Sequence, residues 1–390
     1  MKLKLNNFSF YIKLVKECLI FIFIILNLIL SSCAKKKEVE SSLLADSTST
    51  NDPSDVTQTP TEDLSNTPTP TPTPTPVLDT HYIYLSSGTS YAGLGVTLSA
   101  PSQVIAKYDI SGKLINVLRD FTASQGDSPV ALLDYNPNYI LALIENSAGR
   151  RVEMIAKDGS GYSSYLINSN LNSSVKDMIF DYTGGLLISK STSIEKITSS
   201  GTRISIGGNP YVNNPAGSCT ASATNISKIE KGPDDTIIFA HAFTAASVNN
   251  RINLIAKTGY STAVDCLASI AAPTINHFPT AMLYHSSGKL LVAYGNNTGA
   301  INQVYSYDIT NNSIANPILA YNDLSVLQGI SEIVELPDHT VLITSASSSF
   351  NTVEKFQLDS SSGILTHLGT IPFLTPSIFT RSISSIIIAD

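Results

Sequence analysis

The sequence predicts an all-β fold for residues 78–390, and three observations support this prediction. Short apolar runs recur throughout the region, and they are rich in the β-branched and aromatic residues that favour strands. Gly, Asn, Asp, Ser and Pro separate the runs, and no stretch shows the sustained 3.6-residue apolar period of a helix. Similar units recur at intervals of roughly 40–55 residues, which is typical of a repeat architecture.

Residues 1–33 have the layout of an export signal. Four Lys and one Glu precede a short apolar run, Cys18–Leu30, which is shorter than the roughly 20 residues of a membrane-spanning helix. Small residues follow the run and suit cleavage. The tetrapeptide L-S-S-C ends at Cys33 and resembles the lipobox of bacterial lipoproteins, in which the cysteine is acylated and becomes the new N-terminus. The resemblance implies a signal peptide over residues 1–32, lipidation of Cys33 and export.

An uncleaved signal anchor is the alternative, but it would place Lys16 and Glu17 near the membrane. Cys18 is a poor second candidate for acylation, because these two charged residues precede it. Ala34, and not Asp, follows Cys33, and in the diderm families that this segment resembles Asp favours retention in the inner membrane. We therefore expect anchoring in the outer membrane through acyl chains, and the side of that membrane stays open.

Residues 33–77 are predicted to form a lipidated, disordered tether. They are rich in Ser, Thr, Pro, Asp and Glu, so they cannot bury enough apolar surface to offset the entropy of an ordered chain. Residues 67–76 read T-P-T-P-T-P-T-P-T-P. Alternating Pro favours polyproline II, which extends by about 3.1 Å per residue. The tether is therefore expected to hold the domain of residues 78–390 away from a membrane.

One plan of strand, tight turn, strand, loop and strand occurs five times in the domain. The copies begin at Val130, Val175, Ile226, Pro279 and Ile330. The C-terminal segment Ser382–Asp390 looks like the first strand of a further copy, and Tyr82–Leu85 looks like its second strand. Pairing of the two ends would remove the exposed sheet edges that invite aggregation. The sequence thus predicts a six-bladed β-propeller closed between its N- and C-terminal strands, with seven blades or a β-sandwich array as alternatives.

Two segments of the second copy carry a family resemblance: D-Y-T-G-G-L-L-I-S at Asp181–Ser189 and I-E-K-I-T-S-S-G at Ile194–Gly201. They resemble blades of the NHL-like and TolB-like six-bladed propellers. The resemblance extends over about 310 residues and lies in the blade pattern rather than in a functional signature. Because propellers host unrelated binding and catalytic roles, it implies the fold and leaves the function open.

The alternating strand directions of a blade divide its connections between two faces. The tight-turn face carries the short turns after first and third strands, such as 182–185, 233–235 and 286–288. The long-loop face carries the other connections, such as 87–103, 207–224 and 243–251. Long loops on a rigid scaffold commonly carry function. The predicted ligand-binding residues of this face are Tyr91, Arg150, Arg151, Asn209, Tyr211, Asn213, Asn214, Asn249, Asn250, Arg251, Asn296 and Asn297. Because the chain enters at a second strand, we expect Leu78 on the tight-turn face.

Catalytic, metal-binding and cofactor-binding patterns are weak. The six histidines lack metal-ligand spacing, and no G-x-S-x-G, phosphate-loop, zinc or EF-hand motif occurs. The carboxylates of Asp109, Asp181 and Asp308 occupy turn or repeat-equivalent positions, where we expect structural roles. We expect no cofactor. The net charge of −7 and the lack of a basic stripe argue against nucleic acid as a partner.

These observations favour a non-catalytic binding or scaffold propeller of the cell envelope that engages a protein, peptide or glycan. The alternatives are a metal-dependent hydrolase or lactonase-like enzyme and a purely structural envelope protein. Cys219 and Cys266 are the only cysteines of the domain. Export exposes them to oxidising conditions, so a disulfide is expected, and it would contribute about 4 kcal/mol. Two free thiols are the alternative.

Overall fold

A computed structural model gives the fold of the domain, which lies within the compact unit Pro76–Asp390. It describes residues 81–87, 103–121, 127–146, 149–165, 171, 175–190, 193–198, 202–204, 212–213, 226–241, 250–256, 266–274, 277–295, 302–346, 351–371 and 383–390. The predicted signal peptide (1–32), the tether (33–77), Leu78, Cys33 and Cys219 lie outside these residues.

The described residues form six antiparallel sheets, which are the blades of a β-propeller. Blade 1 joins both ends of the domain and contains β1 Tyr82–Ser87, β2 Val104–Asp109, β3 Leu114–Asp120 and β25 Ile383–Ala389. Blade 2 contains β4 Ser128–Asn136, β5 Tyr139–Asn146, β6 Gly149–Ala156 and β7 Tyr162–Ser164. Blade 3 contains β8 Met178–Phe180, β9 Leu186–Ser189, β10 Ser193–Ile197, β11 Arg203–Ile204 and β12 Val212–Asn213.

The remaining three blades have four strands each in the described part of the chain. Blade 4 contains β13 Ile226–Lys231, β14 Ile237–His241, β15 Arg251–Ile255 and β16 Cys266–Ala271. Blade 5 contains β17 Phe278–Tyr284, β18 Lys289–Gly295, β19 Asn302–Thr310 and β20 Ser313–Tyr321. Blade 6 contains β21 Ile333–Glu335, β22 Thr340–Ala346, β23 Asn351–Leu358 and β24 Leu365–Ile371. The predicted all-β class and the six blades are confirmed.

The ring closes between the two ends of the domain, as the repeats predict. In blade 1 the strand order is β25-β1-β2-β3, so the C-terminal strand is the innermost one. The pairing runs from Tyr82 opposite Ala389 to Ser86 opposite Ser385. β1 is therefore hydrogen-bonded on both sides and is not an edge strand.

Apolar packing between blades holds the ring together. Among the described residues, six clusters of buried apolar side chains each join one neighbouring pair of blades. The second strands are buried on both faces, as in Leu186–Ser189 and Ile237–His241. This explains why these strands are continuous apolar runs and do not alternate between apolar and polar residues.

Hydroxyl groups add repeated contacts between neighbouring blades. Ser227 Oγ donates to Pro279 O of the next blade at 3.2 Å, and Ser331 Oγ donates to Ile383 O at 2.8 Å. Ser227 and Ser331 occupy the same repeat position. Such bonds satisfy carbonyl groups at the blade boundaries and so favour one relative placement of the sheets.

Acidic side chains organise the tight turns. Asp181 Oδ1 accepts hydrogen bonds from the backbone N–H groups of Thr183 (2.9 Å) and Gly185 (2.8 Å). Asp109 accepts bonds from two backbone N–H groups, and Asp308 binds Lys289 and Asn316. In the described structure these carboxylates have the structural contacts expected from their positions.

Two features of the repeats differ between blades. Gly184 and Gly288 have φ of 76° and 83°, whereas the corresponding turn of blade 6 has His339 at φ 62°. In blade 3, β12 pairs with the start of β10 while β11 pairs with its end, so two short strands share the outer position. The repeated plan did not predict β12, because a two-residue strand leaves no distinctive pattern in the sequence.

The chain enters the described domain on the tight-turn face. His81 directly precedes β1, and its Nε2 lies 3.2 Å from Oδ1 of Asp390, which follows β25. Leu78 itself lies outside the described residues, so its expected position on this face stays a prediction. Within the described ranges, no helix has the length and apolar character that crossing a bilayer requires.

Candidate functional site in the central channel

The structure places four of the predicted ligand-face side chains. These are Arg150, Arg151, Asn250 and Arg251. The backbone of Asn213 lies in β12. The other predicted residues lie outside the described part of the chain; they are Tyr91, Asn209, Tyr211, Asn214, Asn249, Asn296 and Asn297. The proposed ligand-binding role of this face stays a prediction.

The two arginines of β6 form ion pairs within blade 2. Arg150 Nη2 lies 2.6 Å from Glu145 Oε1, and the Arg150 side chain is only 1% exposed. Arg151 Nη2 lies 2.6 Å from Asp127 Oδ2 and 2.8 Å from Glu153 Oε1. The hydrogen bond to Asp127 is the main cause that raises the pKa of Arg151. Both arginines therefore brace the start of the strand.

The other two residues also make internal contacts at the long-loop face. Asn250 is buried, and its Nδ2 donates to His277 O at 2.7 Å. Arg251 Nε donates to Ser269 Oγ at 2.8 Å, and that hydroxyl lies 2.7 Å from Asn253 Oδ1. These contacts hold the start of β15 against β16 and blade 5.

Within the described ranges, no group of three His, Cys, Asp or Glu side chains is spaced to hold a metal ion. His285 and His339 lie close together, but His285 Nδ1 accepts the Ser287 N–H at 3.0 Å. Its proton is then on Nε2, which donates to His339 O at 3.0 Å. Cys266 begins β16, and the Cys219–Cys266 disulfide stays a prediction.

The innermost strands of the six blades surround a central channel. A cavity with a volume of about 330 Å³ lies in this channel, and all six strands or the residues just before them contribute to its wall. The lining residues belong to the halves of the strands nearest the tight turns, such as Leu132–Asp134 of β4 and Ile386–Ile388 of β25. The cavity therefore lies toward the tight-turn face.

Three charged side chains share one repeat position at the inner end of this cavity. They are Asp177 in blade 3, Lys228 in blade 4 and Glu332 in blade 6. The other three blades have Ala131, Ala281 and Ser385 at this position. Because three blades use a small residue there, the propeller does not need a charge at this level.

An ion pair links two blades that are not neighbours. Lys228 Nζ donates to Glu332 Oε2 at 2.7 Å, past blade 5, which has only Ala281 at this level. Asp177 accepts hydrogen bonds from the N–H groups of Met178 and Ile229, both at 3.0 Å. Asp177 and Lys228 are 8% and 9% exposed, so the group is shielded from bulk water.

Burial changes the protonation of this group. It raises the pKa of Asp177, and it raises that of Glu332 to about 7, although the charge of Lys228 acts against both shifts. Burial would lower the pKa of Lys228, but the charges of Asp177 and Glu332 outweigh it and raise that pKa. The lysine therefore stays charged at neutral pH, while Asp177 and Glu332 bind protons more readily than ordinary carboxylates do.

Glu230 lies two residues further along β13, one level closer to the tight-turn face. The other five blades place apolar side chains at its level, which are Leu133, Ile179, Leu283, Val334 and Ile387. Glu230 Oε1 accepts the N–H of Lys231 at 2.9 Å. Burial, and secondarily the charges of Asp177 and Glu332, raise the pKa of Glu230 to about 8. This carboxyl group is mostly protonated at pH 7 and can take either state on contact with a ligand.

The sequence analysis did not identify this group of four residues. Lys228 and Glu230 lie in β13, Asp177 and Glu332 directly precede β8 and β21, and no motif connects positions about 50 and 100 residues apart. The signal was nevertheless present in the repeats, because stacking the five copies puts Asp177, Lys228 and Glu332 in one column. Charged residues that share one position of otherwise apolar repeats indicate one level of the ring.

Comparison with known proteins adds information on the fold alone. No protein-family model and no curated protein matches the chain. Among solved structures, one similar to this chain is a protein of unknown function from Bacteroides caccae, with 14% identity, a TM-score of 0.49 and coverage of 79% of this chain and 98% of that one. A protein from Lactobacillus plantarum has 9% identity, a TM-score of 0.49 and coverage of 80% and 99%. A gluconolactonase from Xanthomonas campestris has 11% identity, a TM-score of 0.46 and coverage of 73% and 86%.

Proposed function

We propose that this chain is a ligand-binding propeller of the cell envelope, held at a membrane by acyl chains on Cys33, and that the central channel is its binding site. One observation carries the binding role. Asp177, Lys228, Glu230 and Glu332 converge on a cavity of about 330 Å³, which is near the lower size limit of small-molecule pockets.

The energetics of buried charge favour a functional role for these residues. A buried ion pair contributes little net stability compared with an apolar replacement. Three other blades build the same level of the channel from Ala or Ser, so charge is not needed for the fold. Departures from local folding rules are most common where function requires them.

The proposal of a lipid anchor rests on the L-S-S-C sequence at Leu30–Cys33 and on the apolar run before it. The membrane is accordingly one partner, and the outer membrane is the expected location. An envelope protein, peptide or glycan remains the class of partner for the long-loop face. A metal-dependent hydrolase or lactonase-like enzyme and a purely structural envelope protein are the competing functions.

The binding role is tested with the full-length chain and the small molecules extracted from cell envelopes. Val334→Phe adds a ring to the channel wall and should remove the space for a ligand. Val117→Phe makes the same change at a half-exposed position of β3 and serves as the control. Mass spectrometry should find a compound that copurifies with the wild type and with V117F but not with V334F.

The other outcomes distinguish the competing functions. A compound that also copurifies with V334F would indicate that the binding site lies outside the channel. Absence of any retained compound would favour the structural role. Metal analysis of the same preparation completes the test, since one divalent ion per chain would favour the hydrolase.

A further inference from the structure

Charged side chains cross the channel at one level. The Lys228–Glu332 pair crosses it, and Asp177 lies at the same level, so these three residues form a floor. Above the floor, Glu230 and its five apolar neighbours form a wall. Asp134 and Glu335 lie at the rim, next to the tight turns. The cavity is thus a pocket that opens on the tight-turn face.

Carboxyl groups dominate the charge of this pocket at every level. Asp177 and Glu332 are at the floor, Glu230 is in the wall, and Asp134 and Glu335 are at the rim. The one cation of the floor, Lys228, is already bonded to Glu332. At the rim, Lys157 Nζ lies 2.9 Å from Asp134 Oδ1, and His339 Nδ1 lies 2.8 Å from Glu335 Oε1, so each of those carboxylates has a partner.

We propose that this pocket takes a small organic cation, an amine with an apolar body, whose ammonium group pairs with Glu230. The proposal rests on the proposed function, because it names the ligand class of the same site. The apolar wall provides contact for the body of the ligand, and Glu230 is the carboxyl group of that wall. An anionic ligand of the same size would have to enter among five carboxyl groups at unfavourable electrostatic energy.

Protonation explains why a cation suits the pocket better than a neutral molecule. A carboxyl group in apolar surroundings takes up a proton because its charged form lacks a counter-ion. An ammonium ion supplies that counter-ion, so binding should release the proton of Glu230. This coupling makes the affinity for an amine rise with pH as long as the amine stays protonated.

The charged groups of the pocket around Glu230 come from several strands. Those at the floor are Asp177, Lys228 and Glu332, and those at the rim are Asp134 and Glu335. β17 and β25 present Leu283 and Ile387 at this level, which do not titrate. Burial raises the pKa of Asp177, that of Glu332 to about 7 and that of Glu230 to about 8. A variant without the Glu230 carboxylate therefore measures its share of the pH dependence between pH 6 and 8.5.

The probes are three molecules of one shape: benzylamine, benzyl alcohol and benzoate. Isothermal titration calorimetry of the full-length chain at pH 6 and pH 8.5 measures their binding. We expect benzylamine to bind at least about tenfold more tightly at pH 8.5, and more tightly than either analogue. Two buffers of different ionisation enthalpy should report release of a proton at pH 7.

Glu230→Gln keeps the shape of the side chain but removes its charge. This variant should lose about tenfold or more in benzylamine affinity at pH 8.5 and should release no proton on binding. Glu195→Gln, which changes a half-buried carboxylate of β10 outside the channel, should behave as the wild type. Circular dichroism of both variants verifies that the fold is kept.

Two results would overturn the proposal in different ways. Equal or tighter binding of benzyl alcohol or benzoate, blocked by Val334→Phe, would leave the channel as a binding site but reject a cationic ligand. Benzylamine binding that E230Q leaves unchanged would reject the role of Glu230. No binding of any probe at millimolar concentration would reject the cation site, and the extract experiment would then decide the proposed function separately.

Discussion

At the scale of the residue, the charge balance of the channel floor depends on Lys228. Its ammonium group is the only described cation in contact with the partly buried carboxylate of Glu332. Lys228→Met should therefore leave Glu332 and Asp177 without a counter-charge, and we expect the free energy of unfolding to fall by about 3 kcal/mol at pH 7. Urea unfolding at pH 5 and pH 7 measures the change.

The sign of the pH dependence follows from the carboxyl groups. Their folded-state pKa values are already raised by burial, and loss of the lysine should raise them further. The folded protein then binds more protons than the unfolded chain, so acidification to pH 5 should restore stability to K228M. Adding Glu332→Gln should recover part of the loss at pH 7. Lys355→Met, at an exposed pair with Asp338, should cost less than about 1 kcal/mol.

The turn residues were far more predictable than the channel residues. A turn depends on neighbours within a few positions, and Asp181 with Gly184 and Gly185 shows its chemistry directly in the sequence. Lys228 and Glu332 come together only through closure of the ring. Patterns within a short stretch of sequence do not indicate that these two side chains meet. Only comparison of the repeat-equivalent positions indicates it.

At the scale of the element, the closing strand β25 deserves a direct test. Ile386 is fully buried between blades 6 and 1, in the cluster that contains Leu342 and Leu85. Ile386→Ala should reduce the free energy of unfolding by about 3 kcal/mol, because it removes buried methyl groups and leaves a cavity. Ile364→Ala, at a side chain that is 41% exposed, is the matched control and should change it by less than about 1 kcal/mol.

Chemical unfolding of both variants provides the measurement. Equal effects of I386A and I364A would mean that β25 is not part of the cooperative core.

The strands themselves were largely predictable from the sequence, since the second strand of each blade is an apolar run bounded by turn residues. The shared outer edge of blade 3 was not, because β11 and β12 have two residues each and owe their pairing to β10.

At the scale of the whole molecule, the proposed anchor on Cys33 would set where the propeller works. Cys33→Ser should block labelling with a radioactive fatty acid and release the chain from membranes, because acyl chains stabilise the membrane-bound state by about 0.8 kcal/mol per buried CH₂ group. Cys18→Ser is the matched control and should leave both labelling and membrane fractionation unchanged. Continued membrane retention of C33S would support the uncleaved signal anchor.

The global architecture could be predicted because the incomplete copies at the two ends complement each other. The sequence has a second strand without a first at Tyr82–Leu85, and a first strand without a second at Ser382–Asp390. The position of the pocket could not be predicted in the same way. The long loops suggested one face, whereas the described cavity lies toward the opposite face.

The central place of β1 in blade 1 has a mechanical consequence. A force on the chain at His81 acts along β1, and hydrogen bonds to β25 on one side and to β2 on the other resist it together. When the force runs parallel to the strand, these bonds must slide and break in concert rather than one after another. The point at which the proposed tether would join the propeller is thus suited to bear tension between a surface and a bound object.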